Sequence, residues 1–271
     1  MRLALTFALV LCVACGAAPE IAPATIVEVE LEPSDYLLRW AGQWHAEVAR
    51  PVEDSATLEE SIRGLRGSER HTRTLRYITA LLYEIEELNE GSREVRLARR
   101  EVRRALRRLR RVRGELATTR DFLELVAAWR GALPRAVNLA ERFTDRHSDS
   151  AELHGLAWMI LGEIYFEGER WSDAARSFRY LLGDLEHPLY AFASWRTAAV
   201  LREQGRAEEA DEMLPQIVRL ACASDTPEPT QEVAAAVAAE ARIARVSGRF
   251  AACEGDEREG NMDEELPPGY R

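Results

Sequence analysis

The densest group of chemically active side chains is a run of arginines between positions 93 and 113. The run holds eleven Arg against two Glu, a local balance of +9 in a chain whose formal net charge is −10. Guanidinium groups bind phosphates and carboxylates through paired hydrogen bonds. The run therefore predicts an anion-binding surface, with internal neutralisation by the acidic remainder of the chain as the alternative. The candidate anion-binding residues are Arg96, Arg100, Arg103, Arg107 and Arg110.

The histidines and short motifs give no support for catalysis. No His-x3-His, His-Glu-x2-His or Cys/His cluster occurs in the sequence, so a metal site is not expected. The sequence also lacks a Gly-x-Ser-x-Gly motif, a Walker loop and a dinucleotide fingerprint. We therefore expect a protein that is not an enzyme and needs no cofactor, and a hydrolase with an unrecognised site is the weakest alternative. The five histidines are His45, His71, His147, His154 and His187.

The first 14 residues predict an export signal. Arg2 is followed by an apolar run over residues 3–13, which is too short to span a bilayer as a helix. The run ends in Ala14–Cys15–Gly16, and this ending resembles the lipobox of bacterial lipoproteins. The match departs from the family pattern at Cys12, which stands where the pattern usually has Leu.

The lipobox resemblance implies that Cys15 is lipidated and becomes the first residue of the mature chain. In such lipoproteins a Gly rather than an Asp after the Cys goes with the outer membrane, so the resemblance implies an anchor at its periplasmic face. A multiply acylated terminus would hold firmly, because each buried CH₂ contributes roughly 0.8 kcal/mol. Two alternatives stay open. Cleavage near residues 22–24 would give a secreted soluble protein, and an uncleaved signal would be a retained anchor.

Export would decide which anions the arginine run meets. Nucleic acid is not an expected partner outside the cytoplasm, and the absence of aromatic residues from 93–113 also disfavours a base-stacking surface. Lipid headgroups, lipopolysaccharide phosphates or acidic wall polymers are the expected anionic partners.

Two further cysteines, Cys222 and Cys253, form an even pair in a compartment that permits disulfides. A helix predicted over 231–246 separates them by roughly 24 Å. A bridge needs Cα atoms within about 7 Å, so the chain after the helix would have to fold back. A disulfide and two free thiols are equally open at this point.

The composition predicts an all-α fold. Hydrophobic residues make up 46% of the chain and charged residues 30%, and Ala, Leu, Glu and Arg favour helix. A short stretch over 26–31 is the one segment with extended character. Ser34 is predicted to cap the first helix, which ends before Pro51. The other predicted helices cover residues 55–65, 69–89, 93–117, 121–130 and 134–144.

The helix predicted over 93–117 has apolar residues at alternating spacings of three and four, the heptad pattern of packed helices. Together with helix 69–89 and the break at 91–92, it predicts a long antiparallel hairpin rich in Arg. In this hairpin the acidic cluster at 84–90 would meet the Arg-rich start of the second helix. The heptad positions are Val95, Ala98, Val102, Ala105, Leu109, Val112 and Leu116.

A repeat signature follows at Trp158-x2-Leu161-Gly162-x2-Tyr165 and Ala174-x3-Phe178. Types and spacing resemble the tetratricopeptide (TPR) family, in which small residues let two helices cross closely. A weaker copy follows about 36 residues later. The resemblance implies stacked helical hairpins whose concave face holds peptides or partner subunits. The residues of the weaker copy are Ala198, Leu201, Gly205, Ala210 and Leu214.

These features predict five segments. Residues 1–14 form a lipoprotein signal, 15–33 a tether, 34–118 an N-terminal helical region, 119–250 a TPR-like domain and 251–271 an acidic disordered tail. The resulting hypothesis is a non-catalytic outer-membrane lipoprotein that acts as a scaffold or adaptor for envelope proteins. The alternative is an electrostatic binder of an anionic envelope polymer or lipid through residues 93–113.

Overall fold

The described part of the chain is helical, as the composition predicts. The computed structural model describes residues 31–88, 91–223, 225–242, 245–246, 249–250 and 253. Eleven helices and one pair of two-residue strands lie within these ranges. The elements are α1 (Pro33–Trp44), α2 (Ser55–Ile62), α3 (Gly67–Glu87), α4 (Arg93–Arg108), α5 (Glu115–Trp129), α6 (Ala136–Arg146), α7 (Ala151–Glu167), α8 (Trp171–Arg179), α9 (Tyr190–Glu203), α10 (Ala207–Arg219), α11 (Glu228–Glu240), β1 (Arg245–Val246) and β2 (Arg249–Phe250).

Several sequence predictions lie outside the described residues. These are the export signal at 1–14, the lipidation site Cys15, most of the tether, the extended stretch over 26–30 and the tail from 254. Within the described ranges, no helix combines the length and the apolar character that crossing a bilayer requires.

The starts of α4 and α1 have different local causes. Ser92 caps α4 by accepting a hydrogen bond from the backbone N–H of Val95 at 3.1 Å. The prediction that Ser34 caps the first helix is wrong. Helix α1 starts two residues earlier, at Pro33, with Glu32 at the cap position, because the fixed φ of proline suits a first helical position and its missing N–H costs nothing there.

The single helix predicted over 93–117 is two helices. Helix α4 ends at Arg108, and α5 starts at Glu115. Gly114 between them has a φ of +66°, a left-handed conformation that favours glycine and redirects the chain. The heptad pattern continued past this break because Leu109 is buried, and Val112 and Leu116 are half-buried, at the junction of the two helices.

Three acidic residues of the predicted cluster, Glu84, Glu86 and Glu87, lie within the described residues. Helix α3 packs against α4, and its seam residues Leu75, Ile78 and Leu82 are buried. The described partners of these three acidic residues nevertheless lie outside α4, because other helices also approach the end of α3. The pairs are Glu84 with Ser55, Glu86 with Arg130 and Glu87 with Arg50.

Neighbouring helices pack in sequence through the second half of the chain, from α5 to α11. Helix α1 lies apart from its sequence neighbours and packs against α7. The buried apolar residues of both halves belong to one continuous core. The N-terminal helix therefore closes onto the C-terminal half.

The C-terminal segment is held by a disulfide between Cys222 and Cys253, whose Cα atoms lie 5.3 Å apart. The helix predicted over 231–246 is shorter and ends at Glu240. The antiparallel strands β1 and β2 then reverse the chain, and Phe250 is buried against the core. This reversal brings Cys253 back to Cys222, which the longer predicted helix made difficult.

Candidate functional site

Helices α7 and α8 cross where the repeat signature places its small residues. A β-carbon added to Gly162 would overlap the ring of Phe178, so the two helices touch at this point. Ala174 and Phe178 are fully buried, and Leu161 is buried beside them. Tyr165 is also buried, and its hydroxyl donates a hydrogen bond to Glu141 of α6 at 2.9 Å. Only glycine at 162 permits this separation of the helices.

Trp158 lies at the edge of the same crossing. Its ring stacks on Tyr180, with centroids 5.0 Å apart, and its buried indole N–H has no partner among the described residues. His154 Nε2 lies 2.9 Å from the carbonyl of Thr144, so this nitrogen donates. His154 Nδ1 therefore accepts from the Tyr180 hydroxyl, 3.1 Å away.

The weaker copy forms the helix pair α9 and α10. Ala198 and Ala210 are fully buried, and Leu214 is buried next to them. Gly205 in the connecting turn has a φ of +76°, a left-handed conformation that glycine adopts without strain. The residues taken from the sequence as a second copy thus lie at the contact between two helices, as those of the first copy do.

One buried ion pair joins α7 to α9, and the sequence analysis missed it. Glu163 accepts two hydrogen bonds from Arg196, at 2.6 and 2.7 Å. Both side chains are almost fully buried, and burial raises the pKa of Glu163 to about 6 despite the nearby guanidinium. The available signal was a single acidic residue inside the apolar stretch 156–166.

Helix α1 covers the side of the helix pairs that α7, α9 and α11 form. The ring of Tyr36 stacks on Phe192 of α9 at 4.7 Å, and its hydroxyl donates to the carbonyl of Pro229 at the start of α11. Arg39 donates to Glu232 of α11 through both terminal nitrogens. This side of α7, α9 and α11 is thus in contact with a helix of the same chain.

A second region, the arginine cleft, lies between α4, α5 and the start of α6. It is a cavity of about 230 Å³ that five arginines and one glutamate line. The apolar part of its lining is Leu106, which is buried near the C-terminal end of α4. The lining residues are Arg103, Leu106, Arg107, Arg110, Arg120, Glu124 and Arg135.

Two of the five arginines in the cleft are held by the protein. Arg120 donates to Asp121 and to the carbonyl of Leu109, which ties the end of α4 to α5. Arg135 lies 3.5 Å from Glu124. The other three are Arg103, Arg107 and Arg110. Each is exposed and has no hydrogen-bond or ion-pair partner among the described residues.

The structure therefore brings three of the five anion-binding candidates predicted from the sequence to the cleft and places the other two outside it. Arg103, Arg107 and Arg110 come together at one cavity with Arg120 and Arg135, which the sequence analysis did not select. Arg96 donates to the carbonyl of Gly91, and Arg100 is exposed; neither lines the cleft. Arg120 and Arg135 could not be found from the local arginine run because they reach the cleft through packing of α5 and α6.

His147 links α5 to the end of α6. Its Nδ1 lies 3.2 Å from Thr118 Oγ1 and its Nε2 lies 3.1 Å from Asp121 Oδ2. A hydrolase triad places the carboxylate on Nδ1 and the nucleophile on Nε2, which is the reverse of this order. The ring also packs on Phe143, so its contacts join two helices. Among the described residues, no group of three or more His, Cys, Asp or Glu is placed to hold a metal ion.

No known protein-family model, curated protein or solved structure matches the chain. The TPR and lipobox resemblances remain predictions from the sequence.

Proposed function

We propose that this protein is a non-catalytic, lipid-anchored scaffold of the bacterial outer membrane that faces the periplasm and binds envelope proteins. Helices α7 to α10 would form two TPR-like hairpins, and α3 with α4 the Arg-rich hairpin that precedes them. The proposal rests most on the contact of Gly162 with Phe178, which lies where the repeat signature requires a small residue.

Helix α1 limits where a partner can bind this scaffold. It already covers part of the side formed by α7, α9 and α11. The helix pairs also expose apolar residues away from these contacts, with 50% of Tyr180 and 67% of Leu185 accessible. Exposed aromatic and aliphatic side chains anchor protein interfaces. The partner surface would therefore include Tyr180 and Leu185, and α1 would fix the array to the tether.

Site-specific photo-crosslinking in intact cells tests the scaffold. A photoreactive amino acid at Leu185 should capture envelope proteins in complexes that survive high salt. The control places the same photoreactive amino acid at Val52, which is fully exposed and lies outside the helix pairs. Equal capture from both positions, or none from Leu185, would contradict this partner surface.

The mass of the N-terminal peptide tests the anchor. A lipid-modified peptide that begins at Cys15 is expected. An unmodified peptide that begins at Thr25 would show that the protein is secreted without an anchor.

A second candidate function is electrostatic binding of an anionic envelope polymer or lipid. The observation that favours it is the group Arg103, Arg107 and Arg110, which is exposed without a protein partner. Binding of this kind should weaken as salt rises. It should also persist when crosslinking at Leu185 captures nothing, since the two surfaces use different residues.

A further inference from the structure

A second cavity lies next to the arginine cleft. This cavity measures about 210 Å³ and lies along α5 and α6. It shares Arg120 and Glu124 with the cleft, so the two spaces adjoin. Arg142 and Arg146 of α6 extend the cationic lining, and Leu139 and Phe143 add apolar surface. The complete lining is Arg120, Asp121, Glu124, Leu139, Arg142, Phe143, Arg146 and His147.

Both acidic residues of this joined groove already have cationic or hydrogen-bonding partners. Asp121 accepts from Arg120 and contacts His147, and Glu124 faces Arg135. The linings together contain seven arginines against these two carboxylates. The groove thus carries an excess of positive charge that its own acidic residues cannot balance.

Four of the seven arginines have no side-chain partner among the described residues. Three are the cleft residues of α4 and the loop after it, and the fourth is Arg146 at the end of α6. Arg142 uses its Nε on the carbonyl of Asn138, which leaves its two terminal nitrogens available. Free guanidinium groups therefore line both cavities and could reach one ligand from two sides.

We propose that the joined groove binds a ligand that carries two or more phosphate groups close together. The inference deepens the electrostatic candidate above and rests on it. Phosphate suits the groove because a dianionic group accepts several guanidinium forks at once. Two adjoining small cavities favour a ligand with two phosphoryl groups over a single carboxylate. Such a group can belong to a soluble oligophosphate or to a phosphorylated lipid headgroup.

The site is a product of the fold and not of the arginine run alone. Its arginines come from α4, the loop after it, α5, the connection to α6, and α6 itself. Other arginines of the run, among them Arg100, Arg111 and Arg113, are exposed and lie outside both linings. Substituting these three exposed arginines therefore removes the same charge from the same segment without changing the lining of the groove.

Calorimetric titration of the full chain with inorganic pyrophosphate tests the proposal. The test variant combines R103Q, R107Q and R110Q, and the control combines R100Q, R111Q and R113Q. Each removes three positive charges. Because the test variant loses three guanidinium groups that line the groove, it should bind pyrophosphate at least about 30-fold more weakly. The control should bind within about threefold of the unmodified chain, since its arginines act only at a distance.

Equal losses of pyrophosphate affinity in both variants would contradict a specific phosphate site in the groove and would leave only attraction by net charge. Absence of pyrophosphate binding by the unmodified chain would overturn it as well. A peptide with the sequence of residues 254–271, which holds seven acidic residues, serves as a competitor. If it bound the groove more tightly than pyrophosphate, the ligand would be protein carboxylates and the phosphate assignment would fall.

Vesicles distinguish the two sources of phosphate once pyrophosphate binds. Cardiolipin carries two phosphates in one headgroup, so binding to cardiolipin vesicles that only the test variant loses would identify a lipid headgroup. Pyrophosphate binding without vesicle binding would identify a soluble ligand. If the unmodified chain did not bind pyrophosphate and the test variant still bound vesicles, the phosphate site in the groove would be contradicted. Electrostatic binding to an anionic lipid would remain as the second candidate function.

Discussion

Charged side chains have different surroundings in helices α7 to α11 and in the arginine cleft. In the helix pairs, buried Glu163 of α7 has Arg196 of α9 as its partner, and Glu232 of α11 has Arg39 of α1. In the cleft, Arg103, Arg107 and Arg110 face solvent without a partner among the described residues. The first arrangement holds helices in place, and the second leaves cations available for a ligand.

The largest expected effect comes from breaking the buried pair. Glu163→Ala leaves Arg196 buried without its partner, which should lower the free energy of unfolding by about 3–5 kcal/mol. Denaturant unfolding measures the change. The double variant E163L with R196M should recover much of the loss, because apolar side chains of similar volume remove both charges together. A loss below about 1 kcal/mol for Glu163→Ala would show that the pair does not hold α7 to α9.

The next effect concerns the crossing of α7 and α8. Gly162→Ala forces the added methyl into the buried ring of Phe178, and should lower the unfolding free energy by about 1–3 kcal/mol. Gly183→Ala is the matched control, since no atom lies within 4 Å of its added β-carbon. Equal stability of the two variants in denaturant unfolding would contradict the close helix crossing.

The stability of the helix pairs should also depend on pH through Glu163. Its folded-state pKa of about 6 lies above the ordinary value of 4.5. The folded state therefore keeps the proton longer than the unfolded state, and this contribution is complete below pH 4.5 and lost as pH rises through 6.

Glu163→Gln does not titrate at this position and serves as the reference. Between pH 4.5 and 6 and slightly above, the unmodified chain should lose about 2 kcal/mol of stability relative to E163Q. Unfolding curves of both proteins from pH 4 to 7 measure this difference. A difference that stays constant over the range would show that the carboxylate is not desolvated in the folded state.

A smaller effect is expected where α1 meets the helix pairs. Tyr36→Phe removes the hydroxyl that donates to the carbonyl of Pro229, but keeps the ring stacked on Phe192. The variant should lose about 1 kcal/mol of stability. Hydrogen exchange of the backbone amides in α1 should become faster in the same variant, because α1 is held less firmly. Unchanged exchange and stability would show that ring packing alone holds α1.

Sequence reasoning identified the helical fold because apolar spacing and helix-favouring composition recur along the chain. It identified Gly162, Ala174 and Phe178 as contact residues because their spacing has a direct geometric reason. It placed the end of α4 wrongly because Leu109 continues the apolar pattern after the helix stops at Arg108, six residues before the left-handed Gly114 that precedes α5. Local pattern alone does not separate a buried turn from a continuing helix.

Part of the joined groove was beyond sequence reasoning. Arg103, Arg107 and Arg110 belong to a dense local run, whereas Arg135 and Arg142 reach the groove only after α5 and α6 have packed. The position of α1 was hidden for the same reason. Its contacts with Pro229 and Glu232 span about 190 positions of sequence, and no local spacing encodes them.

Thermal unfolding with and without pyrophosphate tests the contrast between the two regions most directly. A ligand that binds only the folded chain raises its midpoint, by an amount equivalent to about 2.7 kcal/mol at a hundredfold excess over the dissociation constant. The unmodified chain and the R100Q, R111Q, R113Q variant should both show the rise. In the R103Q, R107Q, R110Q variant the rise should shrink to the equivalent of about 1 kcal/mol or less, because its dissociation constant is at least about 30-fold larger. Without pyrophosphate, this variant should unfold within a few degrees of the unmodified chain. A full rise in this variant would show that these arginines do not bind the ligand, and a variant that fails to fold would show that they serve the structure.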